Sequence, residues 1–294
     1  IPTVLTMTVV PILGAGSSMA DYRIGFKLWA LIIAVVFVIS ELVCVACVPE
    51  RPVACDEKPG KISDMFKALF KNDQAMTVVV SIILVYTSLN ICGNLVLYFF
   101  RFDVGNEGAY SIFAAVAFAA QVLVMMVIPL LRKRFSKSQL FISGFVIQIA
   151  GFAVILIMAF AKLYTPQSWY ILCLPGILIY LGYGMLNVIM TIFLSDSVDY
   201  GEVMNGTREE SVIFSMQTFT VKLASGVAVF LAGLVVDWIH LDTAAAVQTQ
   251  DTLDALRMWM TIPSVILLIV GIFVFKRFYK LDDTRMEEIK SKLN

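Results

Sequence analysis

The chain has 294 residues, of which 60% are hydrophobic and only 15% charged, with 22 Lys and Arg balanced by 22 Asp and Glu. Soluble domains carry about 25% charge, and at a mean hydropathy of +0.87 few water-soluble folds could bury so much apolar surface. The balanced charge, with no basic patch, excludes a nucleic-acid-binding role, and there is no phosphate-binding glycine loop and no nucleophile elbow.

Apolar runs close to 20 residues recur, the length a helix needs to cross a roughly 30 Å hydrocarbon core. Ile1–Gly14 is apolar but too short to cross, begins without Met and contains Pro2 and Pro11, so it reads as the end of a helix in a fragment of a longer protein. Seven complete spans follow: Ile24–Cys47, Ala75–Phe100, Ala109–Leu131, Leu140–Ala161, Trp169–Ser195, Ser211–Val236 and Leu256–Phe275. The fold class is an all-α membrane protein. Between the first two spans, residues 48–74 mix Pro and charge with Ile62–Lys71, whose Met65, Phe66, Leu69 and Phe70 share one face as an interfacial helix requires. Residues 1–47 are therefore read as the last part of one helix bundle, 48–74 as a central loop, 75–275 as a six-helix bundle and 276–294 as a tail.

Alternate connections carry the positive charge. Arg51, Lys58, Lys61, Lys67 and Lys71 precede the second span, Arg132, Lys133, Arg134 and Lys137 follow the third, and Lys276, Arg277, Lys280, Arg285, Lys290 and Lys292 follow the last. By the positive-inside rule these segments are cytoplasmic. The acidic connection Asp196–Glu210 is then cytoplasmic too, and Asp237–Asp254 external.

Polar residues inside the spans mark candidate sites. Tyr86, Asn90 and Asn94 repeat every four residues, and Tyr180, Tyr183 and Asn187 at three and four, so each set forms a helical stripe. Such stripes either line a cavity or hydrogen-bond a neighbouring helix for modest gains of about 0.6 kcal/mol. Glu41 sits about two turns from the cytoplasmic end of its span and reads as a snorkelling or paired acid, with ion coupling as the alternative. The five cysteines, mostly within spans, lack the companion ligands of a metal site. The strongest signal is Lys222, at the middle of Ser211–Val236 on one stripe with Ser211, Ser215, Thr218 and Ser225. A charge at the bilayer centre costs roughly 2.5–3.5 kcal/mol on insertion scales, which a water-filled cavity with a polar or anionic ligand would offset.

The acidic connection carries a recognisable pattern: Asp196-Ser-Val-Asp-Tyr-Gly-Glu202, an acidic pair at 209–210, then Gln217-Thr218-x-x-Val221-Lys222. Together with Lys71-Asn-Asp-Gln74, Leu97-Tyr-Phe-Phe100 and Arg277-Phe-Tyr-Lys-Leu281, it resembles the glycoside-pentoside-hexuronide:cation symporters, the melibiose permease group within the major facilitator architecture. The resemblance covers essentially the whole chain. It implies a complete C-terminal six-helix half plus the end of an N-terminal half, in a bacterial plasma (inner) membrane. Its function would be symport of a sugar or glycoside with a monovalent cation, Na⁺ or H⁺, by alternating access; an ion-independent facilitator is the alternative, with a channel or membrane enzyme further off. No catalytic chemistry and no cofactor is implied.

Lys222 and Thr218 match family sugar-site positions, and Asn187 falls where melibiose permease has a tryptophan. Tyr183, Asn90 and Asn94 join them as candidate substrate-binding residues. The family's cation-binding carboxylates lie on its second and fourth helices, to which no residue here corresponds. Asp196, Asp199, Tyr200 and Glu202, facing basic loops such as Arg132–Lys137, are expected to form an inner gate, with Gly201 and Gly206 allowing a tight turn.

Overall fold

The computed structural model describes residues 9–10, 12–13, 19–47, 70–206, 210–245 and 247–293. It divides into two units, Ile1–Gly60 and Lys61–Asn294. The first contains α1 (Met19–Cys47), a helix apolar all round between Leu28 and Ile39 whose side chains are largely exposed within the unit, as befits a segment that faces lipid or another helix. Most of the expected amphipathic stretch Ile62–Lys71 lies outside the described residues.

The second unit holds α2 (Asp73–Tyr98), continued by a π-helical turn at Phe99–Asp103, then α3 (Ala109–Leu131) and α4 (Lys137–Phe160). A 3₁₀ turn at Trp169–Leu172 leads into α5 (Cys173–Asn205), followed by α6 (Glu210–Trp238), α7 (Gln250–Phe278) and α8 (Asp283–Leu293). Among the described residues there is no strand, and seven helices, α1 to α7, are long and apolar enough to cross a membrane. α2 packs against α5, α6 and α7, while α5 also packs against α3 and α4.

Without a hydrophobic drive between helices in lipid, close backbone approach and polar contacts hold the bundle. At the α4–α5 crossing a Cβ on Gly182 would lie 2.6 Å from the Gly144 carbonyl oxygen, so only glycine lets the backbones approach this far. Between α2 and α7, Ser88 Oγ donates to the Ser264 carbonyl at 3.1 Å and Ser264 Oγ donates back to the Ser88 carbonyl at 2.8 Å, both buried. The inner third of the core is an aromatic stack of Phe141, Phe193, Phe275 and Tyr279, with ring centroids 4.4–5.2 Å apart.

Polar contacts fix which connections share an end. Asn72 caps α2 by accepting from the Ala75 amide at 2.9 Å and donates its Nδ2 to the Ser197 carbonyl on α5 at 2.7 Å. Gln74 Oε1 accepts from the Lys280 amide at 2.8 Å, so the start of α2 closes the end of α7. These contacts lie at the end the positive-inside rule makes cytoplasmic, here called inner.

Two expectations are corrected. Asp196–Glu210 is not a loop throughout: α5 continues to Asn205, because no proline interrupts it, Val198 is buried and Ser197 Oγ donates back to the Phe193 carbonyl at 2.8 Å. The turn comes at Gly206, at φ +74°. Gly201 is helical, and its missing Cβ makes room for Asn72, whose Nδ2 would lie 2.8 Å from a Cβ there. Likewise α7 begins six residues before the expected Leu256, and the stretch 276–294 contains α8 as well as the end of α7.

Candidate functional site

Midway along the spans, α5 and α2 bring part of the expected polar set together. Asn187 Nδ2 donates to the Tyr86 hydroxyl at 2.6 Å. The Tyr86 and Tyr183 rings meet edge-on at 5.6 Å, and Tyr180 lies 6.5 Å from Tyr183. Tyr183 is buried, whereas Asn187 and Tyr86 are half-buried, so the pair keeps an open side. Tyr86 belongs to the α2 stripe but was not in the substrate-binding set; the amide–phenol bond makes it the link between the two stripes. Asn90 and Asn94 each donate Nδ2 at 2.7 Å to a carbonyl one turn back in their own helix, leaving their Oδ1 atoms to accept from elsewhere.

α6 turns its candidates away from the bundle. Its packed face runs through Ile213, Met216, Thr220, Ala224, Ala228, Ala232 and Val235, and at 100° per residue the Ser211–Ser215–Thr218–Lys222 stripe falls on the opposite side. Thr218 and Lys222 are exposed; Thr218 Oγ1 donates to the Phe214 carbonyl at 3.3 Å, and Lys222 has no hydrogen bond or ion pair among the described residues. Neither reaches the Asn187–Tyr86 pair. Lys222 lies about 18 Å along the helix from Glu210 at 1.5 Å per residue, near the midpoint of the span, and Tyr86 lies at a comparable rise from the start of α2.

The inner end carries the acidic residues of α5. Asp196 accepts from Lys137 Nζ at 2.5 Å, with both side chains under 10% exposed. Lys137 also lies 3.5 Å from Asp283 Oδ1 on α8, which Arg132 reaches at 3.3 Å. Lys137 and Arg132 come from the basic connection the sequence placed opposite this cluster; Asp283 was not foreseen. Tyr200 packs on Leu281, Met286 and Ile289, while Asp199 and Glu202 are half-buried on the last turns of α5. Burial pushes the Asp283 carboxyl up, but Arg132 and Lys137 outweigh it and hold it below its ordinary value. Burial, with Asp196 and Asp283 nearby, holds the Tyr279 phenol far above its ordinary value, so it stays neutral.

A second buried pair closes the other end. Arg257 donates Nε and Nη2 to the two oxygens of Asp103 at 2.9 and 2.5 Å, both side chains being 3% exposed. Tyr164 donates to the same carboxylate, and Arg257 Nη1 reaches Asp254 at 2.7 Å. Sequence reasoning missed this cluster, although Arg257 lies just inside the expected span Leu256–Phe275 and an ionisable residue there is a signal in itself. Glu41 is exposed on α1. Among the described residues no group of three or more His, Cys, Asp or Glu is arranged to hold a metal ion.

Comparison with known proteins places this helical bundle in a family. The pattern of the MFS/sugar transport protein family matches residues 1–283. The chain belongs to this family. It is 24% identical over 297 residues to the raffinose carrier protein of Pediococcus pentosaceus, covering 99% of this chain and 45% of that one. It is 25% identical over 281 residues to the isoprimeverose transporter of Lactiplantibacillus pentosus, covering 95% and 56%. To the putative sulfoquinovose importer of Escherichia coli (strain K12) it is 22% identical over 293 residues, covering 99% and 60%. The chain thus spans about half the length of the curated relatives it matches. It is an integral, multi-pass protein of the bacterial plasma membrane, of a transporter family rather than an enzyme family.

Proposed function

We propose that this chain acts in secondary active transport, moving a sugar or glycoside together with Na⁺ or H⁺ by alternating access. In this reading residues 75–275 form the C-terminal six-helix half of the carrier and 1–47 the end of the N-terminal half. The observation that carries the proposal is the half-buried Asn187–Tyr86 pair beside Tyr183, midway along the bundle. Aromatic faces pack against the C–H faces of a sugar, and an amide offers both donor and acceptor to hydroxyls. In this reading the unpacked face of α6 borders the same cavity, so that Lys222 and Thr218 meet the sugar without touching the Asn187–Tyr86 pair: an unpaired ammonium at mid-span is tolerable where it faces a water-filled cavity and a polar ligand. Asn90 and Asn94 add acceptors on α2. The family supplies the cation coupling in this reading, and no residue of this chain is assigned to hold the ion.

Uptake of labelled galactosides, xylosides and glucuronides into vesicles bearing the full-length transporter, with a Na⁺ gradient, a proton gradient or neither, tests the reaction. Accumulation above equilibration under one gradient is expected; equilibration alone under all three would make the protein a facilitator. Lys222→Met is expected to weaken sugar binding about tenfold to a hundredfold, the loss of a charged hydrogen bond, while leaving the thermal midpoint unchanged, because Lys222 packs against nothing in the bundle. Wild-type affinity in that variant would remove Lys222 from the site. Asn187→Ala is expected to reorder the preference among the sugars without altering ion dependence, and an unchanged ranking would take this face of α5 out of the site.

A further inference from the structure

The α3–α4 turn and the first turns of α8 enclose a cavity of about 490 Å³ at the inner end of the bundle, within the size range of small-ligand pockets, about 300–1,000 Å³. Five cations line it, Arg132, Lys133, Arg134, Lys137 and Lys290, with Asp283 and Glu287. Arg132 and Lys137 are already engaged by Asp283 and Asp196, whereas Lys133, Arg134 and Lys290 are exposed and have no ion pair among the described residues. Counting Asp196 behind Lys137, the cluster retains an excess of two positive charges, enough to match an anion.

The depth of the cavity narrows the choice of anion. It opens where the apolar spans end, between Leu131 of α3 and Lys137 of α4. Its wall includes Phe135, 47% exposed, and the neighbouring Leu130 of α3 is 60% exposed. A soluble anion would gain nothing from that apolar margin; an amphiphile with a phosphate head and acyl chains would use both parts. The α4 N-terminus offers little, because Ser136 and Gln139 already close it as a capping box, so the charge must be met by side chains. Basic pockets between spans on the cytoplasmic side, in a leaflet rich in anionic lipid, are suited to such head groups.

We propose that this cavity binds the phosphate head group of an anionic phospholipid, held by Lys133, Arg134 and Lys290, with the acyl chains running past Phe135 and Leu130. This assignment is independent of the sugar site, since none of these residues belongs to it.

The test is electron spin resonance of spin-labelled phosphatidylglycerol and spin-labelled phosphatidylcholine around the protein reconstituted in bilayers. The wild type is expected to hold phosphatidylglycerol several-fold more than phosphatidylcholine in the motionally restricted fraction. The triple variant Lys133→Gln, Arg134→Gln, Lys290→Gln should bring the two lipids close to equal, and the charge-retaining Lys133→Arg, Lys290→Arg variant should keep the preference. These side chains are exposed, and an unchanged thermal midpoint will establish that the triple variant is folded. No preference in the wild type, or the same preference in the triple variant, would overturn the proposal. Displacement of the labelled lipid by millimolar inorganic phosphate or glycerol phosphate would also overturn it, assigning the cavity to a soluble phosphate instead.

Discussion

At the outer end of the bundle the Arg257 guanidinium grips Asp103 through two parallel bonds, both side chains 3% exposed, and reaches the half-exposed Asp254 on its own helix; at the inner end the amine of Lys137, also buried, is divided between buried Asp196 and Asp283, the latter 39% exposed and on a different helix. The chemistry of the two cations explains the difference. A planar fork matched to a carboxylate has one good geometry, and Tyr164 from the connection after α4 and Asp254 one turn back on α7 hold that geometry. A compact ammonium on a flexible stem can exchange one acid for another with little reorientation, and its second acid sits on α8, at the edge of the fold. The outer cluster is built to stay closed. The inner cluster offers its amine a second acid on another helix and so can be rearranged, which is what the proposed inner gate would use.

The largest loss is expected at the rigid outer pair. Arg257→Gln strands a fully buried Asp103 and is expected to cost about 3–5 kcal/mol of stability, read as a large drop in thermal midpoint in detergent. Adding Asp103→Asn should recover much of that loss, because the uncompensated charge is then gone. A small effect of the single variant would mean that water already reaches the pair.

At the inner end the expected loss is smaller and of a different kind. Asp196→Asn leaves Lys137 with Asp283 still 3.5 Å away, so the penalty should be about 1.5–3 kcal/mol, the worth of one hydrogen bond to a charged group. If the cluster gates, transport slows while equilibrium sugar binding changes little, because the pair then acts on interconversion between states rather than on the sugar. Normal transport rates in the Asp196→Asn, Asp199→Asn double variant would remove the gating role. Equal losses for Asp196→Asn and Arg257→Gln would erase the contrast between the ends.

How much of this could be read from the sequence follows the same contrast. The apolar runs fixed the number and order of the spans because length and hydropathy are local properties: Ala109–Leu131 coincides with its helix, and the others are placed within a few residues except at charged ends. At those ends hydropathy falls before the helix does. α5 runs ten residues past Ser195 and α7 starts before Leu256, since a helix ends where capping ends, and Asp196, Asp199 and Arg257 can be helical while a hydropathy window excludes them. The stripe on α6 was legible from spacing alone, and the alternating charge already set Asp196 opposite the Arg132–Lys137 turn. The Asn187–Tyr86 bond, the Asp283 contribution and the Arg257–Asp103 pair join residues 101, 146 and 154 positions apart. Such partnerships depend on how helices are rotated and packed, which no periodicity within one segment encodes.

The smallest expected effect lies at the exposed edge of the inner cluster and turns on pH. Arg132 and Lys137, working against the burial that pushes it up, lower the folded-state pKa of Asp283, so its carboxylate stabilises the fold fully above its unfolded pKa, about 3.9. That contribution disappears as pH falls through the lower folded value. Partial exposure and screening keep it small. Asp283→Asn should therefore lower the thermal midpoint slightly and by the same amount between about pH 7 and 5, and the gap to wild type should close as the pH falls below about 4. Tyr279 adds nothing to the profile in this range, because its phenol stays protonated throughout. A gap that persisted unchanged into acid would mean that Asp283 acts through packing on α8 and that the second acid of the inner cluster carries no charge-dependent hold on Lys137.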